Sequence, residues 1–231
     1  MPTAPLRTTL LALAALAAAT ACAPVPAGAS PAGKAFALPD PTLDGARPPA
    51  RGKAVAVFAG GCFWGVEAVF EHLKGVGQVS AGYSGGTTPP PVHYDDVSTG
   101  RTGYAEAVRV EYDPSQISYG QLLKVFFAVA HDPTQLNRQG PDTGTQYRSA
   151  IFYGDAEQQK VARAYIAQLD AARVYPSRIV TQLVPLKKFY QAEAYHQDYM
   201  RRNPNQPYIV YHDRPKIAAL KQQFPQLLKG G

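Results

Sequence analysis

The sequence is short of cysteine, of clustered charge and of long apolar runs, and each shortage excludes a class of protein. Two cysteines among 231 residues are too few for a zinc site built on thiolates. The formal charge of +6 is scattered without a run of five like charges, which favours a solvated basic surface over a nucleic-acid site. The longest apolar run, about a dozen residues, is too short to span a bilayer as a helix. The five histidines lack the spacing of a metal-binding pair, so we expect no metal.

The N-terminal segment has the pattern of an export signal. Arg7 is followed by an almost uninterrupted Leu/Ala run over residues 8–19, which is typical of the apolar core of a secretory signal. Small residues then precede Cys22, and this order resembles the lipobox of bacterial lipoproteins, in which the cysteine is acylated. We predict a signal peptide over residues 1–21, a periplasmic protein and a membrane tether at Cys22. Ordinary cleavage nearby, leaving Cys22 free or removed, is the alternative.

The remaining chain divides into a linker and one domain. Residues 22–50 are rich in Ala, Pro and Gly, which predicts a flexible linker without a core of its own. Residues 51–231 alternate strand and helix patterns and are predicted to form the catalytic domain. The apolar run at 54–58 predicts a buried strand, the turn-rich residues 84–100 a long loop, and the pattern at 189–200 a helix. The expected fold is an α+β two-layer sandwich.

Cys62 lies in the pentapeptide GCFWG, between a predicted buried strand and the first turn of a helix. Backbone N–H groups at a helix N-terminus favour thiolate over thiol, so Cys62 is a candidate nucleophile. If Cys22 is acylated or removed, Cys62 is the sole thiol of the mature domain and no internal disulfide can form. The alternative is a small buried core cysteine. Phe63 and Trp64 either fill the core or line an apolar pocket beside the thiol.

Glu106 is the second candidate. In the predicted strand 105–112 it shares a side with Val108 and Val110, because side chains alternate with period two. A carboxyl group on a buried face has a raised pKa, and a neutral carboxyl can donate a proton. The alternative is an edge glutamate that reaches water or pairs with an arginine.

A third cluster surrounds Asp142, in the segment GPDTGTQYR at residues 140–148. Asp142 can orient a water or a tyrosine hydroxyl, and Tyr147 stands where the next strand begins. An aspartate among proline and glycine is also a common turn former. The pattern alone leaves both interpretations open.

Several separated motifs resemble the type A peptide methionine sulfoxide reductases, and together they cover most of residues 53–225 in the family's order. The motifs are GCFWG at 61–65, GYSGG at 82–86, GYAEAV at 103–108, HDPTQLNRQGPDTGTQYRSAIF at 131–152, AEAYHQDY at 192–199 and NPNQPYI at 203–209. The resemblance implies a ferredoxin-like α+β sandwich with long loops and a C-terminal extension. It also implies reduction of methionine S-sulfoxide, free and in proteins, without a bound cofactor.

The resemblance implies a role for each matching residue. Cys62 is the nucleophile that becomes a sulfenic acid, and Glu106 protonates the sulfoxide oxygen. Tyr83 and Tyr147 supply hydroxyls to that oxygen, and Asp142 orients water or substrate. The expected substrate-binding residues are Phe63 and Trp64, which receive the ε-methyl group, together with His196 and Tyr199.

Many relatives in this family carry further cysteines that resolve the sulfenic acid, whereas the tail at residues 201–231 has none. An outside thiol must therefore reduce Cys62. We expect a thioredoxin-like or glutaredoxin-like exported protein, or a small thiol, as the reductant. The other expected partners are oxidised proteins or free methionine sulfoxide as substrate, and a membrane if Cys22 is acylated. We expect a monomer that binds no nucleic acid.

Two other functions fit parts of the sequence. A cysteine hydrolase would pair Cys62 with His131 or His196 as the base. A non-catalytic lipoprotein would instead bind an exported partner through its aromatic and basic surface, and would not need the thiol.

Overall fold

The structure is a computed structural model that describes residue 1, residues 38–44 and residues 52–230. The predicted signal peptide, Cys22 and most of the predicted linker lie outside these residues. The described chain forms eight strands: β1 Ala54–Gly60, β2 Val76–Ser84, β3 Ala105–Tyr112, β4 Arg138–Gln139, β5 Asp142–Thr143, β6 Ser149–Tyr153, β7 Gln182–Pro185 and β8 Phe189–Gln191. Its α-helices are α1 Phe63–Glu71, α2 Tyr94–Ser98, α3 Tyr119–Val125, α4 Ala156–Ala171, α5 Tyr199–Arg202 and α6 Arg214–Gln223. No helix of this described part is long and apolar enough to cross a membrane.

Six strands form one mixed sheet in the order β7-β6-β1-β3-β2-β8. Its four central strands are antiparallel neighbours, and the order β6-β1-β3-β2 with α1 and α3 as connections is that of a ferredoxin-like fold. At the two edges, β7 pairs in parallel with β6, and β8 pairs antiparallel with β2. The expected α+β sandwich is therefore confirmed.

Alternation along the strands separates two apolar clusters. Phe58 of β1 lies on the helical side, where its ring stacks on Phe70 of α1 and on Phe126 after α3, with centroids 5.1 and 5.0 Å apart. Its neighbour Val57 belongs to a second, smaller cluster of mostly small strand residues such as Ala105. Both clusters bury β1, so the strand predicted at 54–58 is confirmed and extends to Gly60.

Seven residues of the predicted linker lie against the domain. Leu38 is buried in the main core, and the carboxylate of Asp44 accepts hydrogen bonds from the Gly120 N–H and the Ser118 hydroxyl at the start of α3. The Thr42 N–H donates to the side chain of Gln168 in α4. The segment at 38–44 is thus in contact with the core, which the linker prediction did not include, while the boundary at residue 50 stays a prediction.

Two sequence predictions about the site region are wrong. The helix expected at 189–200 is instead strand β8, a run of turns and the first two residues of α5. Backbone pairing with the free edge of β2 outweighs helical periodicity here, and Gly82 permits it, because a Cβ there would lie 2.3 Å from the Tyr190 carbonyl oxygen. The loop expected at 84–100 contains helix α2.

Candidate active site

The connection between β1 and α1 carries Cys62 to the edge of the sheet. Gly61 has φ +90°, and a Cβ at that position would lie 2.6 Å from the side chain of Gln139. Only glycine fits this turn easily, because other residues rarely adopt such a backbone. Cys62 is then the residue before the first turn of α1, and it is buried, with 8% of the residue exposed.

The resting thiol is not the thiolate that the helix terminus predicted. Burial raises the pKa of Cys62 well above its ordinary value, and the carboxyl groups of Glu106 and Asp213 raise it further. The Trp64 N–H lowers the pKa of Cys62, as does the charge of Lys216, but these effects are smaller. The helix contribution exists, yet desolvation of the charged form outweighs it.

Glu106 lies on the buried side of β3, as the alternation predicts, and is 2% exposed. Its Oε2 accepts a hydrogen bond from the Phe63 N–H at 3.1 Å, which places the carboxyl beside the residue that follows Cys62. Burial raises the pKa of Glu106 to about 8, although the Phe63 hydrogen bond lowers it and Asp142 raises it slightly. The carboxyl is therefore mostly protonated at neutral pH and can donate a proton.

Tyr147 and Asp142 face the same space. The pKa of Tyr147 is raised by burial and then by Glu106, and Asp142 and Cys62 contribute too, so its hydroxyl is near all three groups. Asp142 is half-buried, and its Oδ2 accepts a hydrogen bond from the Tyr208 hydroxyl. Burial raises the pKa of Asp142 while Tyr208 and Lys216 lower it. The structure thus brings Asp142 and Tyr147 to Cys62 and Glu106.

Tyr83 does not fit its predicted role. It stands directly opposite Glu106 across β2 and β3, but its hydroxyl donates to Glu193 Oε2 at 3.0 Å. A hydroxyl has one proton, so Tyr83 has none left for a sulfoxide oxygen. Tyr94 of α2 is better placed: burial, Glu106 and Cys62 raise its pKa to about 12, and its hydroxyl has no partner among the described residues.

A cluster of aromatic rings lies around Trp64, two residues after Cys62 in the chain. The Trp64 ring stacks on Tyr199 with centroids 3.8 Å apart, and its Nε1 donates to His196 Nδ1 at 3.1 Å. Phe63 is buried, with its ring centroid 4.9 Å from that of His196. The four residues predicted to bind substrate therefore form one contiguous cluster of rings, and two of them directly follow Cys62 in the chain.

Neither histidine proposed as a hydrolase base has a free lone pair. His131 Nδ1 bonds to the Phe126 carbonyl and must carry the proton, so Nε2 accepts from the Ser149 hydroxyl. Burial also lowers the pKa of His131 to about 4. His196 accepts from Trp64 at Nδ1, so its proton is on Nε2. This arrangement argues against the hydrolase.

Sequence reasoning missed several residues of the site. Tyr94 follows a proline-rich loop, and aromatic residues in loops are candidates for function, but periodicity cannot locate them. Glu193 holds both the Tyr83 hydroxyl and the Tyr94 N–H through its two carboxylate oxygens. Tyr208 is within the motif at 203–209, which carried no predicted role. Across residues 38–44 and 52–230, no group of three or more His, Cys, Asp or Glu is arranged to hold a metal.

A thiol close to a largely neutral carboxyl, with neither candidate imidazole available as a base, is an arrangement that suits an oxidoreductase of α+β fold. The family model described as peptide methionine sulfoxide reductase matches residues 54–228. The chain belongs to this family and is a peptide-methionine (S)-S-oxide reductase.

Curated relatives match nearly over their whole length. The chain is 58% identical over 178 residues to peptide methionine sulfoxide reductase MsrA 2 of Mesorhizobium japonicum, covering 77% of this chain and 91% of the relative. It is 52% identical over 194 residues to MsrA 2 of a Synechocystis species, covering 83% and 90%.

Solved structures show the same fold. Mxr1 from Saccharomyces cerevisiae in reduced form aligns with a TM-score of 0.61 at 34% identity, over 70% of this chain and 91% of that one. Methionine sulfoxide reductase A of Corynebacterium diphtheriae aligns with a TM-score of 0.58 at 40% identity, over 68% and 78%.

Proposed function

We propose that the enzyme transfers the sulfoxide oxygen of free or protein-bound methionine S-sulfoxide to Cys62, and that an external thiol reduces the resulting sulfenic acid. The observation that carries this mechanism is the buried, largely neutral carboxyl of Glu106, bonded to the backbone next to the thiol. The net first step converts a thiol and a sulfoxide into a sulfenic acid and a thioether, so atoms and electrons balance.

Glu106 supplies the proton that the departing oxygen needs. As the Cys62 sulfur attacks the sulfoxide sulfur, negative charge develops on the oxygen, and a positioned acid contributes on the order of 10²–10⁴-fold by neutralising it. The second carboxyl oxygen of Glu106 has no hydrogen-bond partner among the described residues, so it is available to a substrate. The hydroxyls of Tyr94 and Tyr147 are free to donate to the same oxygen.

The reacting state carries one proton on the pair formed by Cys62 and Glu106. It holds a thiolate and a neutral carboxyl, which repel each other less than two anions would. Because the two sites interact, their protons come off in steps that belong to the pair. The resting thiol is thus compatible with attack by thiolate, since the pair can pass through this arrangement.

The aromatic surface explains how a thioether is recognised. Phe63 and Trp64 give the ε-methyl group an apolar contact. The hydrogen bond of Trp64 to His196 and its stacking on Tyr199 fix the plane of the indole ring. With the methyl group held there, only one sulfur epimer directs its oxygen towards Glu106. Asp142, held by Tyr208, orients the polar part of the substrate.

Regeneration needs a thiol from outside the domain. Cys62 is the one cysteine among the described residues, and the only other cysteine of the chain is Cys22. A first external thiol displaces water from the sulfenic acid to give a mixed disulfide, and a second releases Cys62 and leaves as a disulfide. A thioredoxin-like or glutaredoxin-like protein, or a small thiol, fits this role.

The N-terminal sequence pattern supports a function outside the cytoplasm. A leader over residues 1–21 followed by an acylated Cys22 would tether the enzyme to a membrane in the periplasm, where it repairs oxidised exported proteins. Mass spectrometry of the N-terminus of protein isolated from its own cells tests this location. An unprocessed Met1 would overturn it.

Single-turnover mass spectrometry tests the mechanism. Full-length protein incubated with methionine sulfoxide and no thiol should form one methionine per chain and gain the mass of one oxygen atom at Cys62. Dithiothreitol should then permit many cycles. Cys62→Ser should abolish both reactions, while Cys22→Ser, the matched control, should leave both intact. Many cycles without any thiol, or loss of single turnover in Cys22→Ser, would contradict the mechanism.

A further inference from the structure

A buried ion pair without an assigned role lies against the first turn of α1. Asp213 is fully buried, and its Oδ1 accepts a hydrogen bond from the ammonium of Lys216 at 3.0 Å. A Cβ placed on Gly65 would lie 2.0 Å from Asp213 Oδ1 and 2.8 Å from Lys216 Nζ. The glycine therefore leaves the space that the two charged groups occupy beside the helix.

This position brings the pair next to the thiol. Gly65 follows Cys62 by three residues, and residues three apart are neighbours on a helix surface. Both charges act on two groups of the site: Lys216 lowers the pKa of Cys62 and of Asp142, whereas Asp213 raises both pKa values. The pair is thus close enough to act electrostatically on the thiol and on the carboxylate expected to orient substrate.

The pair is poorly suited to a purely structural role. Asp213 immediately precedes α6, a position at which aspartate often caps a helix, but its side chain makes no capping bond. Its Oδ2 has no hydrogen-bond partner among the described residues. The Lys216 ammonium carries three donors, and Asp213 is its one bonding partner in the same part of the chain. Apolar residues often stabilise such a position as well as a buried ion pair does.

We propose that Lys216 is a positioning residue that supplies positive charge beside the reacting thiolate of Cys62, and that Asp213 holds its ammonium there. This role rests on the proposed oxygen transfer and deepens it, because the sulfur is anionic when it attacks and again when an external thiol releases it. A cation one helical turn away favours the anion. In the resting site the opposite charge of Asp213 outweighs that effect and, after burial and Glu106, helps to keep the sulfur protonated.

Other ionisable groups also face the sulfur, so the experiment must separate the pair from them. These groups are Glu106 from β3, Tyr94 from α2, Tyr147 before β6 and Tyr208 before α6, and Asp142 from β5 lies close to Glu106 and the three tyrosines. Glu106 and the three tyrosines have raised pKa values and are mostly uncharged at neutral pH. Near neutral pH, the reactivity of the Cys62 thiol therefore reports on changes in charge at Asp213 and Lys216.

The test measures how fast iodoacetamide alkylates Cys62 as a function of pH. All chains are full length and carry Cys22→Ser, so that Cys62 is the single thiol available for alkylation. At neutral pH, Lys216→Met should slow alkylation by about three- to tenfold, and Asp213→Asn should accelerate it by a similar factor. The double variant Asp213→Asn/Lys216→Met should react at the parent rate or slightly faster, because Asp213 has the larger effect on the pKa of Cys62, and Lys216→Arg should retain the parent profile.

Opposite signs distinguish electrostatics from damage to the fold, because a folding defect would move both single variants in the same direction. If Lys216→Met does not fold, Asp213→Asn and the double variant still give the sign of each charge. Rates that do not change, or that change in the same direction, overturn the role of Lys216. Alkylation needs no sulfoxide, so this result is independent of whether the reductase assay supports oxygen transfer.

Discussion

Two helices of this protein begin in opposite ways. At the start of α3, the Ser118 hydroxyl accepts from the Gln121 N–H at 3.1 Å and the Gln121 side chain accepts from the Ser118 N–H at 2.9 Å, while Asp44 accepts from the Gly120 N–H. At the start of α1, the Cys62 side chain makes no capping hydrogen bond; the Phe63 N–H donates to Glu106, and the Trp64 N–H acts on the thiol only by lowering its pKa.

The difference shows that the same backbone donors serve stability at one end of the sheet and chemistry at the other. Cys62 follows the end of β1, and Ala54 at its beginning pairs with Tyr112, shortly before Ser118. The two helix starts thus lie towards opposite ends of β1, whose seven residues span about 20 Å. Substitutions at the two helix starts should therefore act independently.

Glu106→Gln should give the largest effect, with opposite signs on rate and stability. Single-turnover reduction should fall by about 10²–10³-fold, because the amide cannot donate the carboxyl proton. The pKa of Glu106 rises from 4.5 to about 8 on folding, so its contribution to stability is full below pH 4.5 and is lost as pH rises towards 8. A neutral amide avoids this loss and should stabilise the protein by about 2–3 kcal/mol at pH 7.

Urea unfolding at neutral pH and near pH 4 measures this gain, which should disappear at the lower pH. Glu111→Gln is the matched control, because Glu111 lies on the same strand but pairs with Arg109 and has a lowered pKa. It should leave the rate unchanged and bring no gain in stability. A variant Glu106→Gln that is less stable at pH 7 than at pH 4, relative to the parent, would refute the buried neutral carboxyl.

The pH dependence of kcat/KM should also identify the α1 end as the reactive one. The reacting pair carries one proton, so the rate should rise by about tenfold per pH unit up to the lower of its two pKa values, near 8. It should then level off until the thiol itself loses its proton. In Glu106→Gln the bend near pH 8 should vanish, because only the thiol titrates. A profile that falls steadily from pH 6 would contradict this assignment.

Ser118→Ala should give the smallest effect and only on stability. It removes the cap of α3 and should cost about 1–2 kcal/mol, measured by urea unfolding, with kcat/KM unchanged. Ser98→Ala is a suitable control, since the exposed Ser98 hydroxyl binds only the Asp95 carbonyl at the end of α2. A loss of reductase rate in Ser118→Ala would show that the two helix starts are coupled.

The features that the sequence predicts well are those set by the alternation of side chains along a strand or by polar residues at a helix start. Alternation in β3 places Glu106 on the buried side without any knowledge of its neighbours. Ser118 and Asp155 are residue types that favour the start of a helix, and each accepts a hydrogen bond from the backbone N–H three positions later. In each case the relevant interaction is set by residues close in the chain or by burial of a whole face.

The failed predictions depend on contacts between distant residues. The Tyr83 hydroxyl donates its hydrogen bond to Glu193, 110 residues later in the chain, and so has none to give a substrate. The charge state of Cys62 reflects a balance between a helix terminus and burial, and a sequence shows only the first. The segment at 189–200 has helical periodicity, but the open edge of β2 was not visible from its own residues.

Trp64 is the only tryptophan of the chain, and it lies in van der Waals contact with the residues that surround the thiol. Its indole stacks on Tyr199 and donates to His196, so the tryptophan fluorescence of the protein comes from a single indole within the reaction site. Binding of a thioether or oxidation of the neighbouring sulfur should change its emission. Each catalytic stage can therefore be followed optically in the unlabelled protein.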